Sequence, residues 1–114
     1  MESNQIAALM EKLQDAFIPE KAEGMKGVFQ CHVTGVEDGD WMMKVENATC
    51  QILPGTVVNP KATLELSDKD LGDLLNGSLD PLKAFFTGRI QLSGDSGAVI
   101  KLLSMFHLDP GRFK

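Results

Sequence analysis

The sequence predicts an α+β fold, with a five-stranded, mostly antiparallel sheet covered on one face by about four helices. Five short segments alternate apolar and polar residues, which is the period of a strand with one buried face. Other segments repeat apolar residues every three or four positions, as amphipathic helices do. The predicted order is a helix, four strands, two short helices, a strand and a last helix. With 114 residues, the chain (1–114) is expected to form a single domain.

The first helix is predicted from Ser3 to Phe17. Ser3 is a suitable N-cap, and Pro19 cannot continue a helix. The apolar residues of this segment share one helical face: Ile6, Leu9, Met10, Leu13 and Phe17. Its polar positions include acidic residues, whereas a helix that lies in a membrane interface usually carries a basic polar face. We therefore expect this helix to pack on the sheet.

The first four strands follow in one block. The alternating segments are 25–33, 41–46, 49–53 and 62–67. The strongest turn signal is Asp38-Gly39, between the first two strands, and Asn47-Ala48 gives a weaker one. A loop over 54–60, rich in Pro and Gly, precedes the fourth strand. Strands joined by short turns are expected to be antiparallel.

Capping residues mark the two short helices. Ser67 followed by Asp70 resembles a capping box, and Gly77 fits a left-handed C-terminal cap. Asp80-Pro81 supplies an N-cap and a proline at the first helical position, and Gly88 closes the second helix. Both helices are therefore expected to be short and sharply bounded.

The last two predicted elements are a strand and a strongly apolar helix. Ile90 and Leu92 alternate with polar residues in the fifth strand, and either Asp95 or Ser96 caps the helix. The apolar residues assigned to this helix are Val99, Ile100, Leu102, Leu103, Met105 and Phe106. They cover much of its circumference, so we expect it to be buried on more than one side.

The composition excludes several classes of partner. A formal net charge of −5 argues against nucleic acid, because such binding depends on phosphate neutralisation by Lys and Arg. No apolar run approaches the roughly 20 residues that span a membrane. The first residues lack the pattern of a secretory signal, and the two cysteines, Cys31 and Cys50, fit a reducing compartment. We expect a cytoplasmic protein.

No group of residues predicts catalysis, a metal site or a bound cofactor. Gly94-Asp95-Ser96-Gly97 copies the nucleophile tetrapeptide of trypsin-like serine proteases, but that mechanism needs a His base and a buried Asp. Helix capping accounts for these residues here. Cys31 and His32 are neighbours on a strand, so they face opposite sides of the sheet and cannot easily share a metal.

Several motifs, mostly in the second half of the chain, match a known family. They are Ala-Thr-Leu-Glu-Leu-Ser at 62–67 followed by Asp-Lys-Asp-Leu at 68–71, Gly77 through Asp80-Pro81-Leu82, Ala-Phe-Phe at 84–86 with Gly88, and Ile-Gln-Leu-Ser-Gly-Asp at 90–95. With these motifs, and with the same order of elements, the chain resembles the sterol carrier protein 2 family of lipid-binding domains. The resemblance implies an apolar tunnel between the sheet and its helices, in a domain that catalyses no reaction itself. Unlike the members that are fused to a thiolase or dehydrogenase, this chain is expected to be a stand-alone domain. Members bind fatty acids, acyl-CoA esters, sterols or phospholipids, and some transfer lipids between membranes.

The candidate lining of such a tunnel comes from the helix-facing side of the sheet and from the helices. The candidates are Trp41, Met43, Leu75, Leu82, Phe85, Phe86, Val99, Leu102, Leu103 and Phe106. Met and Phe form surfaces that can repack around varied apolar guests. Each of these residues could equally belong to an ordinary core. Candidates to contact a polar headgroup at the tunnel mouth are Lys83, Arg89 and Lys101, and the N-terminus of the last helix near Ser96-Gly97. The alternative, a solvated surface charge, is favoured for each.

Two functions follow from this pattern. The first is non-catalytic binding, and intermembrane transfer, of a lipid or another apolar small molecule, with transient membrane contact. The second is a dimerisation or docking module that has the same fold but no ligand cavity. The sequence leaves open whether the protein is a monomer or a homodimer.

Overall fold

The structure is a computed structural model that describes residues 3–22, 24–37 and 39–106. The elements are α1 (Ser3–Asp15), a 3₁₀ turn (Pro19–Ala22), β1 (Gly27–Thr34), β2 (Asp40–Glu46), β3 (Thr49–Pro54), β4 (Ala62–Ser67), α2 (Asp68–Leu75), α3 (Pro81–Phe86), β5 (Gln91–Gly94) and α4 (Ser96–Leu103). The predicted α+β class and the predicted order of elements are confirmed.

The five strands form one sheet in the order β3-β2-β1-β4-β5. Three of the four pairings are antiparallel, as predicted, and β1 pairs with β4 in parallel. Strands β1 and β3 are both antiparallel to β2, so they run in the same direction. After β3, the chain passes β2 and β1 and enters β4 beside β1, in the same direction as β1 and β3. We call the connecting segment, residues 55–61, the crossover loop.

Gln30 fastens the crossover loop to the sheet. Its side chain is buried, and its Nε2 donates to the carbonyl oxygens of Trp41 (3.0 Å) and Gly55 (3.1 Å). Its Oε1 accepts from the backbone N–H of Val57 (2.7 Å). One side chain therefore forms hydrogen bonds with backbone groups of both the sheet and the loop. Its own amide donor and acceptor are paired in this way, as is usual for a buried amide.

The core lies between the sheet and the helices. Alternate residues of β2 and β4 are buried, and so are alternate apolar residues of β1, which is the pattern of a sheet covered on one face. Gln30 breaks the alternation in β1, because it is buried against the crossover loop. The largest fully buried side chains are Phe29, Ile6, Met10, Met43, Ile90, Leu102 and Met105. The first helix contributes two of them, so its predicted packing against the sheet is confirmed.

The predicted caps of the short helices are confirmed by their hydrogen bonds. The Ser67 hydroxyl accepts from the Asp70 N–H (3.1 Å), and the Asp80 carboxylate accepts from the Leu82 N–H (2.8 Å). Asp95 is the cap of α4, because its carboxylate accepts from the Ala98 N–H (3.0 Å). These bonds satisfy N–H groups that have no partner within the helix.

The glycines predicted to close the short helices have the left-handed backbone that this role requires. Gly77 follows α2 with φ +82°, and Gly88 follows α3 with φ +81°. An L-residue with a side chain rarely adopts this conformation, so the two positions fix where α2 and α3 stop.

Two helices end earlier than predicted. The first stops at Asp15 and α4 stops at Leu103, so Phe17 and Phe106 are not helical. These two residues instead form an isolated antiparallel bridge, with ring centroids 5.5 Å apart. The bridge joins the segment after α1 to the segment after α4 and lets both rings pack on the core, which accounts for the apolar pattern beyond each helix.

Two other expectations lie outside the described residues. The capping contact of Ser3 depends on a side chain that the structure does not describe, although helix α1 does begin at this residue. The Asp38-Gly39 turn includes Asp38, which is not described.

Candidate functional site

An apolar space among the described residues lies between α3 and α4. It has a volume of about 210 Å³ and almost wholly apolar walls. Its lining residues are Asp80, Pro81, Leu82, Phe85, Ile100, Leu103 and Ser104. We call this space the α3–α4 cavity. Because it offers few polar groups, it suits an apolar guest rather than a charged or strongly polar one.

Helix α3 forms one wall of the cavity and contributes little to the buried core. Ala84 is its one fully buried residue, and the Ala84 carbonyl accepts hydrogen bonds from the N–H groups of Arg89 (2.9 Å) and Ile90 (3.1 Å). Leu82, which also lines the cavity, is 49% exposed, and Phe86 is 79% exposed. The cavity is therefore bordered by a short helix that presents large apolar side chains to solvent.

An ion-pair network fixes the segment that follows α3. Arg89 Nε donates to Asp70 Oδ1 (3.0 Å), and Arg89 Nη2 donates to Asp70 and to Asp73 Oδ2 (3.2 Å). The hydrogen bond to Asp70 is the main reason that the Arg89 pKa is raised above its ordinary value. All three headgroup candidates, Lys83, Arg89 and Lys101, are exposed. Arg89 differs in that it forms ion pairs with two carboxylates of α2.

The structure brings together three of the predicted lining residues. Leu82, Phe85 and Leu103 line the α3–α4 cavity. Phe86 lies next to them but faces outward. Ile100 and Ser104 also line the cavity but are not among the predicted lining residues, although Ile100 belongs to the predicted apolar helix. Asp80 and Pro81 were recognised as capping residues only.

The other predicted lining residues are buried in the core, away from the cavity walls. Trp41 and Met43 lie on the helix-facing side of β2, while Val99 and Leu102 belong to α4. Phe106 packs on Phe17. Leu75 borders a separate depression of about 410 Å³ with Leu9, Lys12, Gly72 and Asn76. Their role as the wall of a longer tunnel stays a prediction.

Two further depressions of the described surface differ in character. The depression beside Leu75 lies between α1 and α2, and another of about 370 Å³ lies between residues 24–26 and 46–48. Both are more open and more polar than the α3–α4 cavity. An apolar guest would gain less from either of them, because less of its surface would leave water.

Trp41 carries an unusual polar atom. The residue is only 8% exposed, and its indole Nε1 is buried without a hydrogen-bond acceptor among the described residues. Nearly all buried donors in proteins have a partner. The sequence could place Trp41 on the buried face of a strand, but it could not reveal the unpaired donor.

The two cysteines of the sheet, Cys31 and Cys50, have buried thiols with raised pKa values. Burial, with the charge of Asp40 as a second cause, raises the pKa of the Cys31 thiol to about 12. Burial also raises the pKa of the Cys50 thiol to about 12. Both thiols are therefore protonated at neutral pH, and a protonated thiol is a poor nucleophile and metal ligand.

His32 faces the side of the sheet opposite to Cys31, as predicted. Its Nδ1 lies 2.7 Å from Asp40 Oδ1, and its Nε2 lies 3.9 Å from Glu65 Oε1. Over residues 3–22, 24–37 and 39–106, no set of three or more His, Cys, Asp or Glu side chains could hold a metal ion. Nor does any helix in these ranges have the length and apolar character to cross a membrane.

The amino-acid sequence matches the model of a known protein family. The model of the SCP-2 sterol transfer family matches residues 6–107, which is nearly the whole chain. The chain belongs to the SCP-2 sterol transfer family. The family resemblance that the sequence motifs indicated is thereby confirmed.

Individual relatives and structures of the SCP-2 family agree with this assignment. The chain is 31% identical over 80 residues to sterol carrier protein 2 of Oryctolagus cuniculus, an alignment that covers 70% of this chain and 14% of the relative. It therefore spans about a seventh of that protein's length. The sterol carrier protein domain 2 of Helicoverpa armigera has 27% identity and a TM-score of 0.69, with 92% of this chain and 87% of that domain covered.

The sterol carrier protein 2 of Aedes aegypti, solved in complex with the C16 fatty acid palmitate, has the same fold. Its TM-score is 0.61 at 14% identity, and the match covers 87% of this chain and 97% of that one. At this level of identity, the likeness concerns the fold alone.

Proposed function

We propose that this chain binds a lipid without catalysing a reaction, and that the hydrocarbon part of the lipid enters between α3 and α4. The observation that carries the proposal is the α3–α4 cavity, with its nearly wholly apolar walls at the edge of the core. The palmitate complex of the Aedes aegypti protein supports it, since that protein has the same fold. Fatty acids, acyl-CoA esters, sterols and phospholipids are the ligand classes to compare.

The size of the cavity implies that α3 moves when a long lipid binds. A volume of about 210 Å³ is smaller than the roughly 300–1,000 Å³ of typical small-molecule pockets. Because Ala84 is the one fully buried residue of α3, outward movement of this helix disrupts little of the core. Such movement would extend the cavity toward the predicted lining residues between the helices and the sheet.

Hydrophobic burial supplies enough free energy for useful affinity. Each buried methylene contributes about 0.8 kcal/mol, so about ten methylenes contribute about 8 kcal/mol. That value corresponds to a dissociation constant near ~1 μM, before the entropic costs of association are subtracted. Specificity between chains of similar length would be modest, because such contacts are not directional.

The exposed side chains of α3 provide a route for exchange with a membrane. Leu82 and Phe86 project from the rim of the cavity, and Lys83 lies between them in the sequence. We propose that this face touches a bilayer transiently, so that a lipid can pass from the membrane into the cavity. We further propose a cytoplasmic location, where the free cysteines Cys31 and Cys50 stay reduced.

Binding can be tested with a matched pair of variants. The purified protein is first analysed by native mass spectrometry for bound lipid and then titrated with a fluorescent fatty acid. Phe85→Asp, which places a charge in the cavity wall, is expected to remove saturable binding. Phe86→Asp is the control, because it puts the same charge on the next, exposed residue of α3. Absence of saturable binding in the unaltered protein would contradict the proposed function.

A docking or dimerisation module is the second candidate. The exposed Leu82 and Phe86 favour it, because apolar side chains that project together can mark a protein interface. Sedimentation velocity over a range of concentrations separates the two functions. A concentration-dependent dimer that Phe86→Asp disrupts, together with no lipid binding, would support docking.

A further inference from the structure

The indole N–H of Trp41 is a buried donor whose acceptor is missing among the described residues. Trp41 is 8% exposed, and its Nε1 has no hydrogen-bond partner there. A buried unpaired donor lowers the stability of the folded state, so proteins rarely keep one. An acceptor supplied by a bound molecule removes that cost, which makes Trp41 a candidate ligand contact.

The register of the sheet places Trp41 in the layer toward which the α3–α4 cavity is proposed to extend. Trp41 in β2 is paired with Cys31 in β1, and Cys31 is paired with Leu64 in β4. All three side chains are buried on the helix-covered face. The donor therefore belongs to the layer between sheet and helices, outside the cavity walls, and a lipid reaches it only if the cavity extends as proposed.

The burial around Trp41 restricts the kind of acceptor that it can take. Trp41 and its paired neighbour Cys31 are 8% and 1% exposed, and burial is the main reason that the Cys31 pKa is raised to about 12. An ionised carboxylate at the same level would lose its hydration. A single neutral N–H cannot compensate an anion there, whereas it can fully serve a carbonyl or hydroxyl oxygen.

We propose that the Trp41 Nε1–H donates a hydrogen bond to an uncharged oxygen of the bound lipid, such as an ester carbonyl or a hydroxyl. This proposal rests on the proposed function and assigns the polar end of the ligand. It implies that the protein prefers lipids with an uncharged oxygen over hydrocarbons of the same length. It also implies that a free carboxylate stays away from Trp41.

The indole proton reports this bond directly, because Trp41 is the one tryptophan in the chain. The full-length, delipidated, ¹⁵N-labelled protein is titrated with methyl palmitate, with hexadecane and with palmitate at pH 7, each delivered from cyclodextrin. The single indole N–H signal is expected to move downfield with methyl palmitate and to move much less with hexadecane or palmitate. Equal movement with methyl palmitate and hexadecane, or a larger movement with palmitate, would overturn the proposal.

A variant separates the hydrogen bond from the contribution of the ring. Trp41→Phe is expected to weaken methyl palmitate binding by about two- to tenfold more than hexadecane binding, which is the usual worth of one hydrogen bond. Phe85→Leu is the control, since it alters an apolar contact and should weaken both ligands alike. An unchanged ratio of the two affinities in Trp41→Phe would count against the bond.

The two proposals fail in different ways. If neither methyl palmitate nor hexadecane binds saturably, the proposed function is wrong. If both bind but the indole signal stays where it is in the ligand-free protein, lipid binding stands and the role of Trp41 is wrong. Should Trp41→Phe not fold, the titration of the unaltered protein decides.

Discussion

Phe85 and Phe86 are adjacent in α3, and their ring centroids lie 5.5 Å apart, yet the two rings have different environments. Phe85 lines the α3–α4 cavity, whereas Phe86 is 79% exposed. One short helix therefore presents an aromatic ring to the cavity and another to solvent. This division lets binding and membrane contact be tested separately.

Phe86→Asp is expected to slow lipid transfer without weakening lipid binding. Burying a Phe side chain in a bilayer contributes about 1.5–3 kcal/mol, so its loss should reduce the transfer rate by about tenfold or more. The rate is measured by fluorescence as a labelled lipid moves between donor and acceptor vesicles. Thr87→Asp adds the same charge one residue later, at an exposed position, and should slow transfer less. Equal rates for Phe86→Asp and the unaltered protein would argue against α3 as the membrane contact.

Arg89→Gln is expected to lower the melting temperature, because Asp70 and Asp73 lose their cationic partner. The Asp70 side chain is only 14% exposed, so its charge would be left poorly solvated. Lys61→Gln is the control, since Lys61 and Asp95 form a longer and more exposed pair at 3.9 Å. Differential scanning calorimetry at neutral pH measures both. A larger loss for Lys61→Gln would show that the Arg89 network contributes little.

Gln30→Ala is expected to reduce the free energy of unfolding by about 1–3 kcal/mol, because the buried carbonyl of Trp41 and partly buried backbone groups of the crossover loop lose their partners. The affected groups include the Gly55 carbonyl and the Val57 N–H. Urea denaturation measures the change. Gln91→Ala, at an exposed position of β5, should change stability by less than about 0.5 kcal/mol.

The buried thiols predict a loss of stability at alkaline pH. The pKa values of Cys31 and Cys50 rise from 9.0 to about 12 in the folded protein, so the stabilisation is complete below pH 9 and declines between pH 9 and 12. In that window the unfolded thiols release protons and the folded ones keep theirs, which favours unfolding by about 1.4 kcal/mol per pH unit and thiol. Urea denaturation from pH 7 to 10.5, with Cys31→Ala/Cys50→Ala as the control, tests this. Identical pH slopes for the two proteins would contradict it.

Sequence analysis could identify what depends on local chemistry. Asp80 and Ser67 cap helices because a side-chain oxygen meets N–H groups two or three residues away, and Gly77 ends a helix because of its own backbone freedom. These signals are contained in a few neighbouring residues. The period of the strands likewise depends on neighbours alone, so the apolar, helix-facing side of β1, β2 and β4 was predicted correctly. The burial of Gln30 could not be predicted in this way, because the distant crossover loop causes it.

Features that depend on distant contacts could not be read in the same way. The parallel pairing of β1 with β4 and the early end of α4 at Leu103 both depend on residues far apart in the chain. The same limit applies to the site. Leu82, Phe85 and Leu103 were identified as large apolar residues, but nothing local distinguishes them from core residues such as Leu102. Only the meeting of α3 with α4 creates the cavity.

Paramagnetic relaxation with a spin-labelled fatty acid tests the central claim most directly. The ¹⁵N-labelled protein is titrated with a stearate that carries a nitroxide near its methyl end, and the broadening of each amide signal is recorded. Binding between α3 and α4 predicts saturable broadening of the amides of Leu82, Phe85 and Leu103, and little broadening at Lys44 and Gln51, which are exposed on the sheet. Saturable broadening centred on Lys44 and Gln51, or none that saturates, would contradict the account.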